Sequence, residues 1–525
     1  MRENTILDLY KAQLEINPFR ENLLTIVNSR LDSVSYDLNI LDEKSSRAAA
    51  CLQTYGCEKG DRVLISARET LSIWSFFWGA LKLGAVPCIL FPGLGNGGLE
   101  VRLKAAEACF FVTDIHPSKL VNDIKYPDSL KQIIIADEKL SSSPNAEQEN
   151  KSQFVLYKED TYQPINYLDT VMPDDDAFIV FTSGTTGTPK PVVHRHGIAD
   201  AIVSSMKDVL HAVPNDIYWC TAHPAWITGT VYGILGPMLC AVSSIQYEGN
   251  FHAKRWMPIL QNQKVSLWYT APTALRALKR EEDSFFEDYD FSSLKQIYSI
   301  GEPLSAAVYH WGERIFSQPI YDTWFQTECG TIRIANQPGT KIIPGWMGKA
   351  VSDCHAEISQ SNPDRIGNLT LKCGFSSMFK EYYNMPEETS QKTCDGFYQT
   401  GDLASQNGEG YFHFEGRADD VINTSGHLVS PMEIEQVLIE HAFVESAAVV
   451  AEPDELLYEA PAAFIVLKEG TQWTRQLETA LKVSVNNNVS PYAVPKHFYI
   501  AENIPQTSSG KINRSKLKEI LNSML

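Results

Sequence analysis

Ten residues, Phe181-Thr182-Ser183-Gly184-Thr185-Thr186-Gly187-Thr188-Pro189-Lys190, constrain this chain more than any other stretch. The apolar run Ala177 to Phe181 reads as a buried strand that leads into a loop dense with glycine, hydroxyls and one lysine. Glycines let backbone N–H groups turn toward an anion, hydroxyls add donors, and the lysine adds a point charge. The same residue types also build ordinary surface loops. The density of donors and the presence of Lys190 favour a loop that grips phosphate.

This is not a Walker A loop, which needs a glycine directly before its lysine; Pro189 stands there. At 525 residues the chain has room for two or more domains. Its 45 basic and 64 acidic residues give a net charge of −19, which argues against nucleic acid or an anionic membrane as a general partner. An anionic substrate must therefore be drawn by a local basic cluster. The ten cysteines are scattered without metal-site spacing and suit a reducing compartment. Met1 to Phe19 lacks the apolar core of a signal peptide. Ser72 to Leu83, interrupted by Lys82 and followed by Gly84, reads as a core helix and not as a membrane span. A soluble, cytoplasmic protein is expected, with monomer and homodimer both open.

Strands are expected at Arg62–Ser66, Pro87–Phe91, Cys109–Val112 and Gln132–Ile135, with a buried helix at Leu71–Leu83. Ser141 to Pro164 is polar and reads as a surface excursion. Helix and strand alternate again from Ile198 to Thr270, so two α/β layers with mostly parallel sheets are expected. Short strands with Gly turns, Gly396–Gln399 and Gly410–Phe414, suggest a small β unit that ends a large domain, residues 1–418. A small α+β domain, residues 419–525, follows.

Four further segments carry chemistry. Ile300-Gly301-Glu302-Pro303 follows a strand at Gln296–Ser299, and its glycine lets a flat group approach, although the same tripeptide also makes plain turns. Asp322-Thr323-Trp324-Phe325-Gln326-Thr327-Glu328 sets polar groups and a carboxylate at a strand end, where open α/β sheets bind ligands. Asp402 follows a tight turn, in a form suited to a ribose diol and equally to simple turn chemistry, and Arg417 precedes the domain boundary. Lys511 sits on a Ser/Gly loop before a helix starting near Arg514.

In this order, the five segments resemble the adenylate-forming superfamily over nearly the whole chain, and most closely its AMP-forming short-chain acyl-CoA synthetases. The resemblance implies that Thr182, Ser183, Gly184, Thr185, Thr186, Gly187 and Lys190 hold the ATP phosphates. It implies that Gly301, Glu302 and Pro303, with Asp322, Thr323, Trp324, Phe325 and Gln326, frame the adenine, and that Thr327 and Glu328 meet phosphate and Mg²⁺. Asp402 and Arg417 then hold ribose or phosphate, and Asp419 matches the hinge. Ser425, Gly426 and His427 line the CoA path, and Lys511 serves adenylation. Thr182, Glu328 and Lys511 would be its catalytic residues, and ATP, Mg²⁺ and CoA its cofactors and co-substrates. One departure stands out: Leu428 occupies the place of an arginine that acetyl-CoA synthetases usually carry after the Gly-His pair.

Trp226, Ile227, Thr228, Ile300 and Phe325 match acyl-pocket positions, and Phe325 replaces a tryptophan that closes the pocket on acetate. The expectation is acetate, propionate, butyrate or a short branched acid. Trp226 to Tyr232 contains no carboxylate for a substrate amine, so an amino acid is not expected. Two other readings remain: an enzyme that loads a carrier-protein phosphopantetheine, and a non-catalytic acyl-nucleotide-binding module.

Overall fold

The computed structural model describes residues 4–17, 19–116, 124–136, 154–165, 171–182, 189–359, 366–418, 420, 422–424, 427–454, 457–506 and 512–524. They form two compact units, one of Met1–Thr182, Pro189–His355 and Lys372–Tyr398, the other of Ser183–Thr188, Ala356–Leu371 and Gln399–Leu525.

In the first unit the chain opens with the antiparallel pair β1 (Leu24–Asn28) and β2 (Ser33–Tyr36). It then builds an eight-stranded sheet from β3 (Arg62–Ser66), β4 (Val86–Ile89), β5 (Phe110–Thr113), β6 (Gln132–Ile135), β7 (Phe154–Leu156), β8 (Asp176–Thr182), β9 (Lys190–Arg195) and, from much later in the chain, β19 (Glu381–Tyr382). The pairs from β3 to β8 are parallel, and β9 runs antiparallel to β8. Ile133, Ile134 and Ile135 are all fully buried, as a strand covered on both faces requires. β7 lies inside the stretch read as a polar excursion. Phe154, 4% exposed, gives that stretch an apolar anchor and draws it onto the sheet edge beside β6.

β10 (Ile217–Cys220), β11 (Ser243–Glu248), β12 (Leu267–Thr270), β13 (Gln296–Ser299), β14 (Ile320–Trp324), β15 (Ile334–Ala335) and β16 (Lys349–Ala350) join β1 and β2 in a nine-stranded sheet. Its middle pairs are parallel, and its ends, β1/β2 and β14/β15/β16, are antiparallel. Trp219, Trp256, Trp268 and Phe316 pack in a core on this sheet.

Two helices cross closely in this unit. Leu38–Thr54 is capped by Asp37, which accepts the Ile40 N–H at 2.8 Å. Thr70–Lys82 buries Trp74, Phe76, Phe77 and Trp78. At the crossing stands Gly79, whose added Cβ would lie 2.8 Å from the Ser45 carbonyl oxygen and 2.9 Å from the Ala49 nitrogen. Lys82, which interrupts the apolar pattern in sequence, is itself fully buried. Its ammonium donates to Asp42 Oδ1 at 2.7 Å, Ser45 Oγ at 2.7 Å and Ser46 Oγ at 2.9 Å. Burial lowers it to about 8, against the pull of Asp42.

β17 (Ala356–Ser359) pairs with β18 (Gly367–Lys372), β20 (Thr393–Cys394) pairs with β21 (Phe397–Gln406), of which the residues up to Tyr398 belong to the first unit and those from Gln399 to the second, and β21 pairs with β22 (Phe412–Arg417). A second sheet contains β23 (Ile422–Thr424), β24 (His427–Val429), β25 (Val444–Asp454), β26 (Tyr458–Leu467) and β27 (His497–Ile500). Its side chains alternate faces. Ala447 and Val449 meet the helices Pro431–Ile439 and Arg475–Asn488, while Ala448 and Val450 meet Leu517 and Leu521 of Arg514–Met524. No helix among the described residues is long and apolar enough to cross a membrane.

Gly79→Val must push the two crossing helices apart, since the nearest atoms are backbone. The expected cost is about 1–3 kcal/mol, read as a lower urea midpoint for the transition reported by Trp74 and Trp78 fluorescence. An unchanged midpoint would contradict the close crossing.

Candidate active site

β8 and β9 end as a hairpin, with Thr182 paired to Lys190. The connection they close is the Gly/Ser/Thr loop. Its residues Ser183, Gly184, Thr185, Thr186 and Gly187 lie outside the described residues. What the structure does place is the lysine: Lys190 Nζ sits 5.3 Å from the ring centroid of Tyr382, in β19 (Glu381–Tyr382), which pairs with β9.

β13 and β14 run parallel with Ser299 beside Asp322, so the segments that follow them emerge at the same sheet edge. Ser299 Oγ donates to Asp322 Oδ1 at 2.5 Å, and the Leu304 and Thr323 N–H groups also donate to this carboxylate. Asp322 is 4% exposed, and burial pushes its carboxyl up to about 7. Thr323 Oγ1 donates to the Ser299 carbonyl at 2.7 Å, so Tyr269 must be the donor in its 2.7 Å contact with the same hydroxyl. Both side chains thus brace the strand ends.

Gly301 has φ +91°, a conformation that disfavours any side chain, and nothing lies within 4 Å of where its Cβ would be. Glu302 is held by Thr273 Oγ1 at 2.6 and 2.7 Å and by the Arg276 guanidinium. Pro303 follows it, and Ile300 before it is 6% exposed.

After Trp324 and Phe325, each 8% exposed, three consecutive residues are gripped by three rings. Tyr398 donates its hydroxyl hydrogen to Gln326 Oε1 at 2.6 Å. His194 Nε2 lies 2.8 Å from the Thr327 carbonyl, which can only accept, so the ring carries its hydrogen on Nε2. Tyr382 donates to Glu328 Oε1 at 2.6 Å. His194 is fully buried, stacks on Phe178 with centroids 5.0 Å apart, and is depressed to about 4 by desolvation, so it is neutral here.

The expected acyl-pocket residues fall into two aromatic groups. Trp226 stands edge-on to Phe91 at 5.2 Å, and Phe91 lies 5.0 Å from His223, which burial holds near 4. Ile227 and Thr228 are buried beside them in sequence. Phe325 packs edge-on against Tyr232 at 5.6 Å. Tyr232 is fixed in turn, its hydroxyl 2.6 Å from Ser205 Oγ and accepting the Ile332 N–H at 2.8 Å.

In the second unit Asp402 and Arg417 face each other across β21 and β22, with Arg417 Nη1 donating to Asp402 Oδ1 at 2.7 Å and to the Thr400 carbonyl at 3.2 Å. Asp419, Ser425, Gly426 and Lys511 lie outside the described residues, as do the side chains of His427 and Leu428. Sequence reasoning missed Tyr382, Tyr398, His194, Phe91 and Tyr232. All act across long sequence separations, and a lone Tyr or His in an apolar segment reads as core.

The chain matches two family models, AMP-binding enzyme over residues 25–383 and AMP-binding enzyme C-terminal domain over residues 433–511. It is 37% identical over 511 residues to the acetyl-coenzyme A synthetase of Bacillus subtilis, covering 95% of this chain and 88% of that one. It is 32% identical to that of Methanothrix thermoacetophila, covering 90% and 76%. A crystal structure of a Brucella canis acyl-CoA synthetase superposes with a TM-score of 0.71 at 26% identity, covering 99% of this chain and 94% of that one. An anthranilate CoA ligase crystallised with anthranoyl-AMP shares the fold at a TM-score of 0.84 and 23% identity, covering 100% and 99%.

Asp322 sets a pH dependence. In an unfolded chain its carboxyl ionises near the ordinary value of about 4, while the folded protein keeps the proton up to about 7. Between these values the folded state binds the extra proton, so this contribution to stability is full at low pH and is lost as pH rises through about 7. Asp322→Asn removes the slope. From about pH 5 to about pH 8 its stability should gain about 1–3 kcal/mol relative to wild type, measured as urea midpoints at both pH values. Parallel pH profiles would contradict the assignment.

Proposed function

The chain belongs to the AMP-binding enzyme family, and on that footing we propose that it is an ATP-dependent, AMP-forming ligase joining a short-chain carboxylic acid to coenzyme A. The observation that carries this reading is similarity to acetyl-coenzyme A synthetases along 95% of the chain, including a C-terminal family match that runs to Lys511. The first step joins a carboxylate oxygen to the α-phosphorus of ATP and breaks the bond to pyrophosphate. In the second a thiolate attacks the acyl carbon and AMP leaves.

On this reading the hairpin loop from Thr182 to Lys190 holds the phosphates, and the Lys190 charge meets the oxygens on which charge builds. Gly301 leaves an open face for the adenine. Asp322 and Thr323 support that face from below, because their side chains are tied to Ser299, Leu304 and Tyr269. Asp402, paired with Arg417, takes the ribose hydroxyls.

Glu328 suits Mg²⁺: it is a hard oxygen donor, 9% exposed, whose Oε2 has no hydrogen-bond partner among the described residues. No group of three or more His, Cys, Asp or Glu side chains among the described residues could hold a metal alone. That accords with an ion held by one carboxylate and substrate phosphates. Bound there, Mg²⁺ would neutralise charge on the phosphate oxygens. Lys511 serves adenylation, Asp419 is the hinge between domains 1–418 and 419–525, and Ser425, Gly426 and His427 line the path of CoA. The free cysteines and the absence of a spanning helix among the described residues accord with a cytoplasmic enzyme.

Phe325 backed by the fixed Tyr232 gives a firm apolar wall, which favours acids of two to four carbons over long chains. The test is pyrophosphate release with MgATP and acids from acetate to octanoate, with and without CoA. Release should be highest for the short acids, rise with CoA and fall at least about 100-fold in Lys511→Ala. Phe325→Trp should shift preference toward acetate by about 10–200-fold per methylene excluded. Release indifferent to CoA would favour a carrier-protein acceptor, and no release with any acid would sink the ligase assignment.

A further inference from the structure

The turn Gln326–Glu328 is held by hydrogen bonds from three rings on separate strands, Tyr398 of β21, His194 of β9 and Tyr382 of β19. Phe379 ties two of them together, 5.1 Å from Tyr382 and 6.1 Å from Tyr398, and its N–H donates to the Glu328 carbonyl at 2.8 Å. Glu328 is thus fixed at both its backbone and one carboxylate oxygen. The Tyr382 ring does a second thing, because Lys190 Nζ sits 5.3 Å from its centroid. One buried side chain, Tyr382, therefore contacts both the lysine at the base of the β8/β9 hairpin and the acid of the turn after β14.

Resting on the reading of Glu328 as the carboxylate that meets the nucleotide's divalent cation, we propose that Tyr382 is a positioning residue that makes Glu328 a one-oxygen ligand. With one lone pair of Oε1 taken by the phenol at 2.6 Å, Oε2 is the less encumbered oxygen of the two. Mg²⁺ demands near-octahedral geometry with one or two single-oxygen carboxylate contacts, whereas Ca²⁺ accepts a carboxylate through both oxygens. The phenol thereby favours the smaller ion. Removing such a hydrogen-bond partner of a metal-binding group commonly costs about 10-fold or more in affinity.

The experiment measures Mn²⁺ and Ca²⁺ binding by calorimetry to the full-length protein saturated with a non-hydrolysable ATP analogue. The variants are Tyr382→Phe, Tyr398→Phe and Glu328→Gln. Tyr382→Phe keeps the ring under Lys190, so metal-free analogue affinity should stay within about twofold while Mn²⁺ affinity falls about 10-fold and the Mn²⁺/Ca²⁺ preference narrows. Tyr398→Phe removes the matching hydroxyl from Gln326 and should leave Mn²⁺ affinity within about twofold. Wild-type Mn²⁺ affinity in Tyr382→Phe overturns the proposal while leaving Glu328 as a ligand. An equal loss in Tyr398→Phe overturns it in favour of general loosening of the turn. Unchanged Mn²⁺ binding in Glu328→Gln overturns the metal assignment itself.

Discussion

The structure of the site depends on one antiparallel strand in a sheet that is otherwise parallel through its centre. A parallel neighbour to β8 would need a long crossover, and the Gly/Ser/Thr segment would then be the start of that crossover. Because β9 returns antiparallel, Thr182 pairs with Lys190 and the segment becomes a closed hairpin connection with its lysine anchored at the base. Four residues further on, the same strand places His194 against the Thr327 carbonyl, and its other edge receives Tyr382. A single six-residue strand therefore joins the base of the β8/β9 hairpin to the polar turn that follows β14 of the other sheet.

His194 shows why such a link is rigid. A ring held near 4 by desolvation stays neutral at ordinary pH, keeps its Nε2 hydrogen, and cannot swap roles with its carbonyl partner. Asp322 behaves in the opposite sense, since burial raises it while three donors hold it in place. Both groups are polar side chains that serve geometry.

Much of the framework was legible from local pattern. The strands Arg62–Ser66, Gln132–Ile135 and Gln296–Ser299 occur where their apolar runs stop and start, and the last helix begins at Arg514. Burial on both faces leaves a continuous apolar signature that needs no knowledge of neighbours. What could not be read were facts about partners far away in sequence. Lys82 looks like a break in a helix until Asp42, Ser45 and Ser46 are seen around it. β9, Lys190-Pro191-Val192-Val193-His194-Arg195, is polar at both ends and opens on a loop, so only its pairing reveals it. Glu302 stands in sequence in a Gly-Glu-Pro segment that could be a plain turn, and only the structure shows Thr273 and Arg276 holding it. Tyr382 lies 54 residues from Glu328, and no local pattern connects them.

The net charge of −19 bears on how such a site can work. ATP, a carboxylic acid and CoA are all anions, and long-range attraction does not bring them to an acidic surface. The compensation must be local and placed in the first few ångströms. Among the described residues of the first unit, Arg276 is already paired with Glu302 and Lys190 is held over Tyr382. A site with few cations gains most from charge that arrives with the nucleotide, as a metal ion does. It then needs only one well-aimed oxygen to hold that ion, because a cluster of acids would repel the phosphates it must accompany. A single carboxylate is useful only if its direction is set, and the phenol at 2.6 Å from Glu328 is the group that sets it.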